Sequence, residues 1–342
     1  MPERLADHTT LRLGGPADEW VTVTSEDELA GALDTDLPVL VLGGGSNLVV
    51  ADEGFRGRVV EIATRGVTPD VEDEASCGGV LVTVAAGEPW DDFVATAVER
   101  GWVGVEALSG IPGSVGATPI QNVGAYGQEV SQTIASVRVW DRTLRGVRTF
   151  ANAECHFGYR TSRFKADRLQ DGGGRHVVLS VTFQLRQGSL GQPVAYAELA
   201  RALGVGLGER APLADVRRAV LALRGGKGMV LDAADHDTWS AGSFFTNPIV
   251  APDAVPEGAP AWPQPDGTVK TSAAWLIEHA GFAKGHGTDR AALSAKHTLA
   301  LTNRGGASTD DLLALAREVR DGVEARFGIR LVNEPVLVGC EL

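Results

Sequence analysis

Cysteine is scarce in this chain. Cys77, Cys155 and Cys340 lie far apart and are odd in number, which argues against a disulfide framework or a cysteine-based metal site and fits a reducing cytoplasm. Long apolar runs are also missing. No stretch reaches the length a membrane helix needs, and the opening M-P-E-R-L-A-D-H-T-T lacks the apolar core of a signal peptide, so the chain reads as untargeted and cytoplasmic. Positive charge is in deficit too. The 31 Lys plus Arg against 44 Asp plus Glu leave a net charge of −13, which argues against a nucleic-acid or anionic-membrane surface. An anionic ligand must then be held by local groups.

Two further shortages single out residues. Tyr126, Tyr159 and Tyr196 are the only tyrosines, where average usage of about 3% would give roughly ten. Each lies beside a glycine-rich or basic cluster. Lysine is confined to Lys165, Lys227, Lys270, Lys284 and Lys296, the chain otherwise using Arg. A lysine kept in such a background merits attention, although a solvated surface position is the ordinary reading of any one of them.

What the chain does have is a 44% hydrophobic content over 342 residues, enough for two or three cored domains. It is organised around Val105–Val130, V-E-A-L-S-G-I-P-G-S-V-G-A-T-P-I-Q-N-V-G-A-Y-G-Q-E-V, glycine-rich and free of Lys and Arg. Such a backbone can approach a large ligand without side chains intervening. Its exposed N–H groups can hold anionic oxygens such as those of a pyrophosphate. Gly43-Gly44-Gly45-Ser46-Asn47 follows the apolar run Leu37–Leu42 and supplies a second such turn. It lacks both the G-x-G-x-x-G spacing and a G-K-[ST] ending, and apolar Leu48-Val49-Val50 follows, so it joins two strands. A nucleotide here is not held at a helix N-terminus in the usual way.

In chain order, strands are expected at 21–24, 37–42, 58–62, 80–86, 134–140, 177–185 and 329–338. Helices are expected over 25–33, with a Ser25/Glu28 capping box, and from Pro89 to Arg100, ended by Gly101. Others run over 213–223, over 271–280 closed by Gly281, and over 307–327, where Leu312, Leu315, Ala316, Val319, Val323 and Phe327 recur at helical spacing. Gly188 to Ala211 reads as a glycine-rich loop carrying Tyr196, with the main domain change near it. The Pro-rich span from Ala251 to Pro265 reads as a loop. Glu334 stands out within an apolar strand, because a buried carboxylate needs a partner.

These motifs carry a resemblance. Thr9-Thr10-Leu11-Arg12-Leu13-Gly14-Gly15-Pro16-Ala17, Gly43-Gly44-Gly45-Ser46-Asn47-Leu48, Ile111-Pro112-Gly113-Ser114-Val115-Gly116-Ala117, Pro119-Ile120-Gln121-Asn122-Val123-Gly124-Ala125-Tyr126-Gly127, Phe157-Gly158-Tyr159-Arg160, Ala241-Gly242-Ser243-Phe244-Phe245-Thr246-Asn247-Pro248, Lys270–Ile277 and Asn333-Glu334-Pro335 stand in one order. In that order and spacing the chain resembles, end to end, the UDP-N-acetylenolpyruvoylglucosamine reductases (UDP-N-acetylmuramate dehydrogenases), flavoenzymes of bacterial peptidoglycan precursor synthesis.

The resemblance implies an α+β chain. An FAD-binding fold of the vanillyl-alcohol-oxidase type would occupy residues 1–190 in two subdomains, with a boundary near 66. A smaller α+β substrate-binding domain would follow at 191–342, its C-terminal strand able to return to the FAD region. The resemblance implies FAD bound without a covalent link, and the glycine-rich segments, which hold no His or Cys, do not contradict that. The implied cofactor residues are Gly43, Gly44, Gly45, Ser46, Asn47, Leu48, Ile111, Pro112, Gly113, Ser114, Gly116, Ala117, Ile120, Gly124, Ala125, Tyr126 and Val178. NADPH is the implied hydride donor, no metal is required, and the partner is a small UDP-sugar bound by a monomer.

The chemistry can be set out separately. A hydride placed on the terminal carbon of an enolpyruvyl ether pushes charge onto the adjacent carbon and its carboxylate. Arg160 suits the carboxylate, being bidentate and always charged. Glu334 could bond the same carboxylate or orient Arg160 or a water, and Ser243 could deliver the proton. These three match the family's catalytic Arg, Ser and Glu. Alone, each would read as a surface ion pair, a turn hydroxyl and a strand-end charge.

Substrate contacts are implied for Tyr159, for Tyr196 on a family-type Tyr-bearing loop, for Lys227 and Asn247, and for Lys270 and His297 as second contacts. A structural imidazole is the other reading of His297. The interval from Lys227 to Ser243 is longer than in relatives, and Pro335 replaces an aliphatic residue. Alternatives are another flavin oxidase of this fold acting on an alcohol or sugar, and a non-catalytic binder of a cell-wall nucleotide.

Overall fold

The computed structural model describes residues 3–70, 79–169 and 173–342; Cys77 lies outside them. The chain forms two compact units. One comprises the segment ending at Ala17, Gly45–Phe55 and Gly226–Leu342, and the other Asp18–Gly44 and Arg56–Gly225.

The larger unit is built on an antiparallel sheet in the order Gly146–Ala151, Ile134–Asp141, His176–Gln187, Gly79–Ala85, Val67–Pro69, with Trp102–Val103 also pairing His176–Gln187. Alternation decides its faces: Val80, Val82 and Val84 are buried while Leu81 and Thr83 point outward. Across the central register Val181 lies between Val84 and Val137. The helix Trp90–Glu99 covers the buried face, with Phe93 stacked on Phe183 at 4.9 Å between centroids. Gly101, at φ +70°, ends that helix. Pro89 is its cap and not its first residue.

A second core in this unit joins the helix Glu26–Leu33 to a sheet of Ala17–Val23, Phe55–Ile62 and Val39–Leu42, the last two parallel. Glu28 accepts the N–H of Ser25 at 3.3 Å, as its capping position predicts. A third core gathers Ala107, Val194, Leu199, Val216 and Val220 around the helices Ala197–Leu203 and Leu213–Gly226. The loop expected over 188–211 therefore contains a helix. Its A-E-L-A-R-A-L turns are helical in propensity and bury Leu199 and Ala200, while the flanking glycines mark only its ends. These two helices belong to the same compact unit as the large sheet, which runs on to Gly225.

The smaller unit packs the helix Thr309–Phe327 through Leu312, Leu315, Ala316, Val319 and Val323 onto Leu276 and Ile277 of the helix Ala273–His279. Both helices start later than expected because Ser308 and Ser272 are caps, accepting the N–H groups of Asp311 and Trp275. The unit also holds the hairpin of Ala291–Leu293 with Leu301–Asn303, a parallel pair of Leu48–Val50 with Val336–Val338, and an antiparallel pairing of Ile249–Val250 with Val269–Thr271. The expected strand over 329–338 is thus regular only at its end. Within the Pro-rich span, Ala261–Pro263 pairs with Val269–Thr271.

Cys155 is buried, which pushes its thiol up to about 12. No described helix is long and apolar enough to cross a membrane.

An ion pair joins the buried carboxylate of Asp141, at the end of its strand, to the partly exposed Arg175, the residue before His176–Gln187. Asp141, with no exposed side-chain surface, accepts the Arg175 fork at 2.7 to 3.1 Å and the N–H groups of Thr143 and Leu144. Burial opposes its ionisation, but Arg175 and those N–H groups outweigh burial and hold the carboxyl below its ordinary 3.8. A depressed folded value gives stability present above pH 3.8 and lost as pH falls through the folded value. Asp141→Asn should be about 3 kcal/mol less stable at neutral pH and lose less on acidification, checked by denaturant midpoints from pH 7 downward.

Candidate active site

In the larger unit the strand Val39–Leu42 delivers Gly43 and Gly44 against Gly113 and Ser114. A Cβ on Gly44 would sit 2.6 Å from Gly113 Cα, and one on Gly43 2.6 Å from Ser114 Oγ. Side chains are excluded there. Not every N–H in these turns faces a ligand, however: Val115 and Gly116 donate at 2.8 Å to the carbonyls of Glu88 and Ala86. Among the described residues, no protein acceptor takes the N–H of Gly43, Gly44, Gly113 or Ser114. Unspent donors on a backbone without side chains fit the pyrophosphate of a dinucleotide.

Beyond this, Ile120 is exposed, Gly124–Ala125 pairs with Gln128–Glu129, and Val178 is buried in the main core of the unit. Three non-glycine residues adopt left-handed backbone within this region: Asn122 and Tyr126 at φ +49° and Arg160 at φ +53°. Such conformers persist only where the surroundings enforce them. The tight turn Gly158–Thr161 holds Arg160, whose guanidinium donates to the carbonyls of Asn122 at 3.3 Å and Gly124 at 3.0 Å. It lies 5.6 Å from the Tyr159 ring centre. Tyr126 meets Tyr196 edge-on at 5.5 Å, so two of the three tyrosines are in contact.

Behind Tyr126, Asp91 accepts both arms of Arg217 at 2.7 and 2.8 Å and the N–H of Gly110. Burial opposes ionisation of Asp91, but Arg217 and the Gly110 N–H hold it below the usual carboxylate range. Burial pushes Arg224 down to about 10, against the pull of Tyr126 and Asp91; it remains charged at neutral pH.

In the smaller unit, Gly45 (φ +58°) accepts the Thr10 N–H, and a Cβ there would lie 1.9 Å from the carbonyl oxygen of His8. Ser46 follows it. Asn47 donates its amide to the Glu334 carbonyl at 3.4 Å and accepts the Val336 N–H at 3.0 Å, just before Leu48 enters its strand. The Glu334 N–H donates to the Phe244 carbonyl at 2.8 Å. Ser243, directly before Phe244, is therefore carried beside Glu334 by backbone pairing; both are partly exposed.

The remaining expected contacts sit on separate elements of that unit. Asn247 accepts the Ala273 N–H at 3.0 Å, a helix-capping duty for its oxygen. Lys270 pairs across the sheet with Trp262, its Nζ 6.0 Å from that ring. His297 turns the chain between the hairpin strands, its carbonyl accepting Ala300 N–H. Lys227 follows the helix ending at Gly226.

Two residues of the larger unit escaped the sequence reading. Glu106 is almost wholly buried among backbone donors. Asn122, also buried, bonds Gly158 at 3.1 Å, Glu129 at 2.8 Å and the Ser131 N–H at 3.2 Å, latching the Arg160 turn. An Asn inside a glycine-rich run was the available signal, since Asn tolerates the left-handed region. Asn122→Gly should lose the latch alone and Asn122→Ala the latch plus a tolerable backbone. The Ala variant should be about 1 kcal/mol the less stable, measured by denaturant midpoints.

Residues 234–338 match the family described as UDP-N-acetylenolpyruvoylglucosamine reductase, C-terminal domain, and residues 17–146 match the FAD binding domain. The chain is 59% identical to the UDP-N-acetylenolpyruvoylglucosamine reductase of Cutibacterium acnes, over 99% of this chain and 90% of that one. It is 58% identical to that of Thermobifida fusca, over 99% and 97%. The crystal structure of UDP-N-acetylenolpyruvylglucosamine reductase from Thermus caldophilus superposes with a TM-score of 0.68 at 28% identity, covering 98% of this chain and 97% of that one. With an FAD-binding fold matched in its first half and relatives alike over nearly its whole length, the chain belongs to the UDP-N-acetylenolpyruvoylglucosamine reductase family.

Proposed function

We propose that the protein reduces UDP-N-acetylenolpyruvoylglucosamine to UDP-N-acetylmuramate, with non-covalent FAD as hydride carrier and NADPH as donor, in peptidoglycan precursor synthesis. The observation that carries this is likeness to reductases of that name over 99% of the chain. The site geometry then supports roles for particular residues.

FAD would be held by Gly43 to Leu48, by Ile111, Pro112, Gly113, Ser114, Gly116 and Ala117, by Ile120 and Gly124 to Tyr126, and by the strand at Val178. The side-chain-free approach of Gly44 to Gly113 and the unspent N–H groups around it support that assignment. FAD held there would supply the hydride for the terminal alkene carbon, with NADPH as its source.

The other tasks fall to the chain. As charge develops on the carbon bearing the ether, Arg160 grips the adjoining carboxylate. Its guanidinium is preorganised for this, since the Asn122 and Gly124 carbonyls already fix its orientation. Ser243 Oγ gives its proton to that carbon, and water restores the hydroxyl. Glu334 bonds the carboxylate or orients a water beside Ser243, and the pairing of Phe244 with Glu334 supports their acting together. Tyr159, Tyr196, Lys227 and Asn247 bind the nucleotide end, with Lys270 and His297 as further contacts. We read the protein as a cytoplasmic monomer without nucleic-acid or membrane partners, in keeping with its net charge of −13.

Anaerobic NADPH should bleach the yellow flavin, and the enolpyruvyl substrate should restore its colour. Ser243→Ala should bleach normally yet lose substrate-dependent reoxidation by about 10² to 10³-fold, the usual effect of removing one preorganised donor. Unchanged turnover would remove Ser243 from the chemistry.

A further inference from the structure

Glu106 is a carboxylate only 1% exposed in the larger unit, and the chemistry above does not use it. Its Oε2 accepts the Gly104 N–H at 2.7 Å, and its Oε1 accepts Gln128 Nε2 at 2.9 Å and the Gln192 N–H at 2.6 Å. Gln128 returns its own Oε1 to the Ala107 N–H at 2.8 Å. A buried carboxylate is tolerated when donors saturate it in this way. The Gln192 bond is the one that reaches furthest, because it fastens the segment leading to Tyr196.

That segment is fitted to the carboxylate. A Cβ on Gly191 would come within 2.9 Å of Glu106 Oε1, and a Cβ on Gly127 within 2.9 Å of Ala195 Cβ. The segment therefore runs close over the glycine-rich stretch before Tyr196 meets Tyr126. Beside it lies a cavity of about 330 Å³, lined in part by Glu106, Tyr126, Gln128, Gln192 and Val194. The segment is also held by the Gly191 N–H on the Ala211 carbonyl at 2.9 Å and the Val194 N–H on the Glu209 carbonyl at 2.8 Å, and between these two the carboxylate holds Gln192.

We infer that Glu106 is a positioning residue for Tyr196: through the Gln192 N–H it fixes the start of the Tyr196 arm and so the placing of that ring against Tyr126. The inference rests on the reading of Tyr196 as a contact to the sugar nucleotide. A glutamine at 106 keeps the shape but has an oxygen at only one of the two carboxylate positions, so its N–H₂ opposes either the Gly104 N–H or the Gln128 and Gln192 donors, and in both cases the charge is lost.

Glu106→Gln and Gly191→Ala holoenzymes would be compared with Tyr196→Phe, measuring KM for UDP-N-acetylenolpyruvoylglucosamine, flavin bleaching by NADPH, and Tm. Glu106→Gln and Gly191→Ala should each raise that KM about tenfold, as loss of a charge-assisted bond holding a binding group would, with bleaching rates unchanged. Gly191→Ala leaves the carboxylate in place and carries the test if Glu106→Gln does not fold. A lowered Tm with unchanged KM in both, while Tyr196→Phe raises KM, would overturn the inference and leave the Tyr196 reading intact. Unchanged KM in Tyr196→Phe would overturn the Tyr196 reading itself, and this inference with it.

Discussion

Two backbone turns in the larger unit can touch because neither carries a side chain at the point of contact, Gly44 against Gly113. Much of that unit serves to hold this approach. Trp90, wholly buried at the start of its helix, gives its backbone N–H to the Gly113 carbonyl and its indole N–H to the Leu108 carbonyl at 2.9 Å. One core residue thus grips the glycine-rich stretch at two points. Trp90 in turn packs on Phe93 and Phe183, so sheet, helix and cofactor turn form one mechanical chain. The same logic explains Gly116, where a Cβ would lie 2.5 Å from that of Ala86. Backbone donors can neutralise an anion only if the core brings them to it and keeps them there.

The strained residues follow from that constraint. Asn122, Tyr126 and Arg160 bend the wrong way for L-residues, each at a cost on the order of 1 kcal/mol, and Asn122 and Arg160 are in direct contact. Asn122 spends its amide holding the Gly158 turn, and the Arg160 guanidinium answers by bonding the Asn122 carbonyl. The two distorted segments stabilise each other. Arg160 is therefore less a free cation than a fork locked in orientation before any carboxylate arrives.

What could be read in the sequence was what local chemistry sets. Ser25 with Glu28, Gly101 and Gly281 mark helix ends because caps act within one turn. The GGGSN and I-P-G-S-V-G-A turns were visible because a side-chain-free approach demands glycine at fixed positions. The helix at Ala197–Leu203 was hidden by glycines that only bound it. The division of the units was hidden for another reason: Asn47 and Glu334 are 287 residues apart, and nothing local announces their contact. Glu106 belongs to that class, since its bond to Gln192 spans 86 residues and its neighbours in V-E-A-L give no hint of three converging donors.

Glu334 brings these strands of reasoning together. Its N–H is taken by Phe244 and its carbonyl by Asn47, and Pro335 after it has no N–H to offer. A ladder cannot continue through such a residue, so regular pairing resumes only at Val336, whose N–H returns to Asn47. Asn47 clasps the backbone on both sides of Pro335. The backbone from which the carboxylate springs is thereby held on both sides by main-chain and amide bonds, and is tied to the turn that precedes Leu48. An aliphatic residue at 335 would restore a donor that this arrangement does not require. Proline there suits a Glu334 whose backbone is held on both sides, beside the Ser243-Phe244 segment that accepts its N–H.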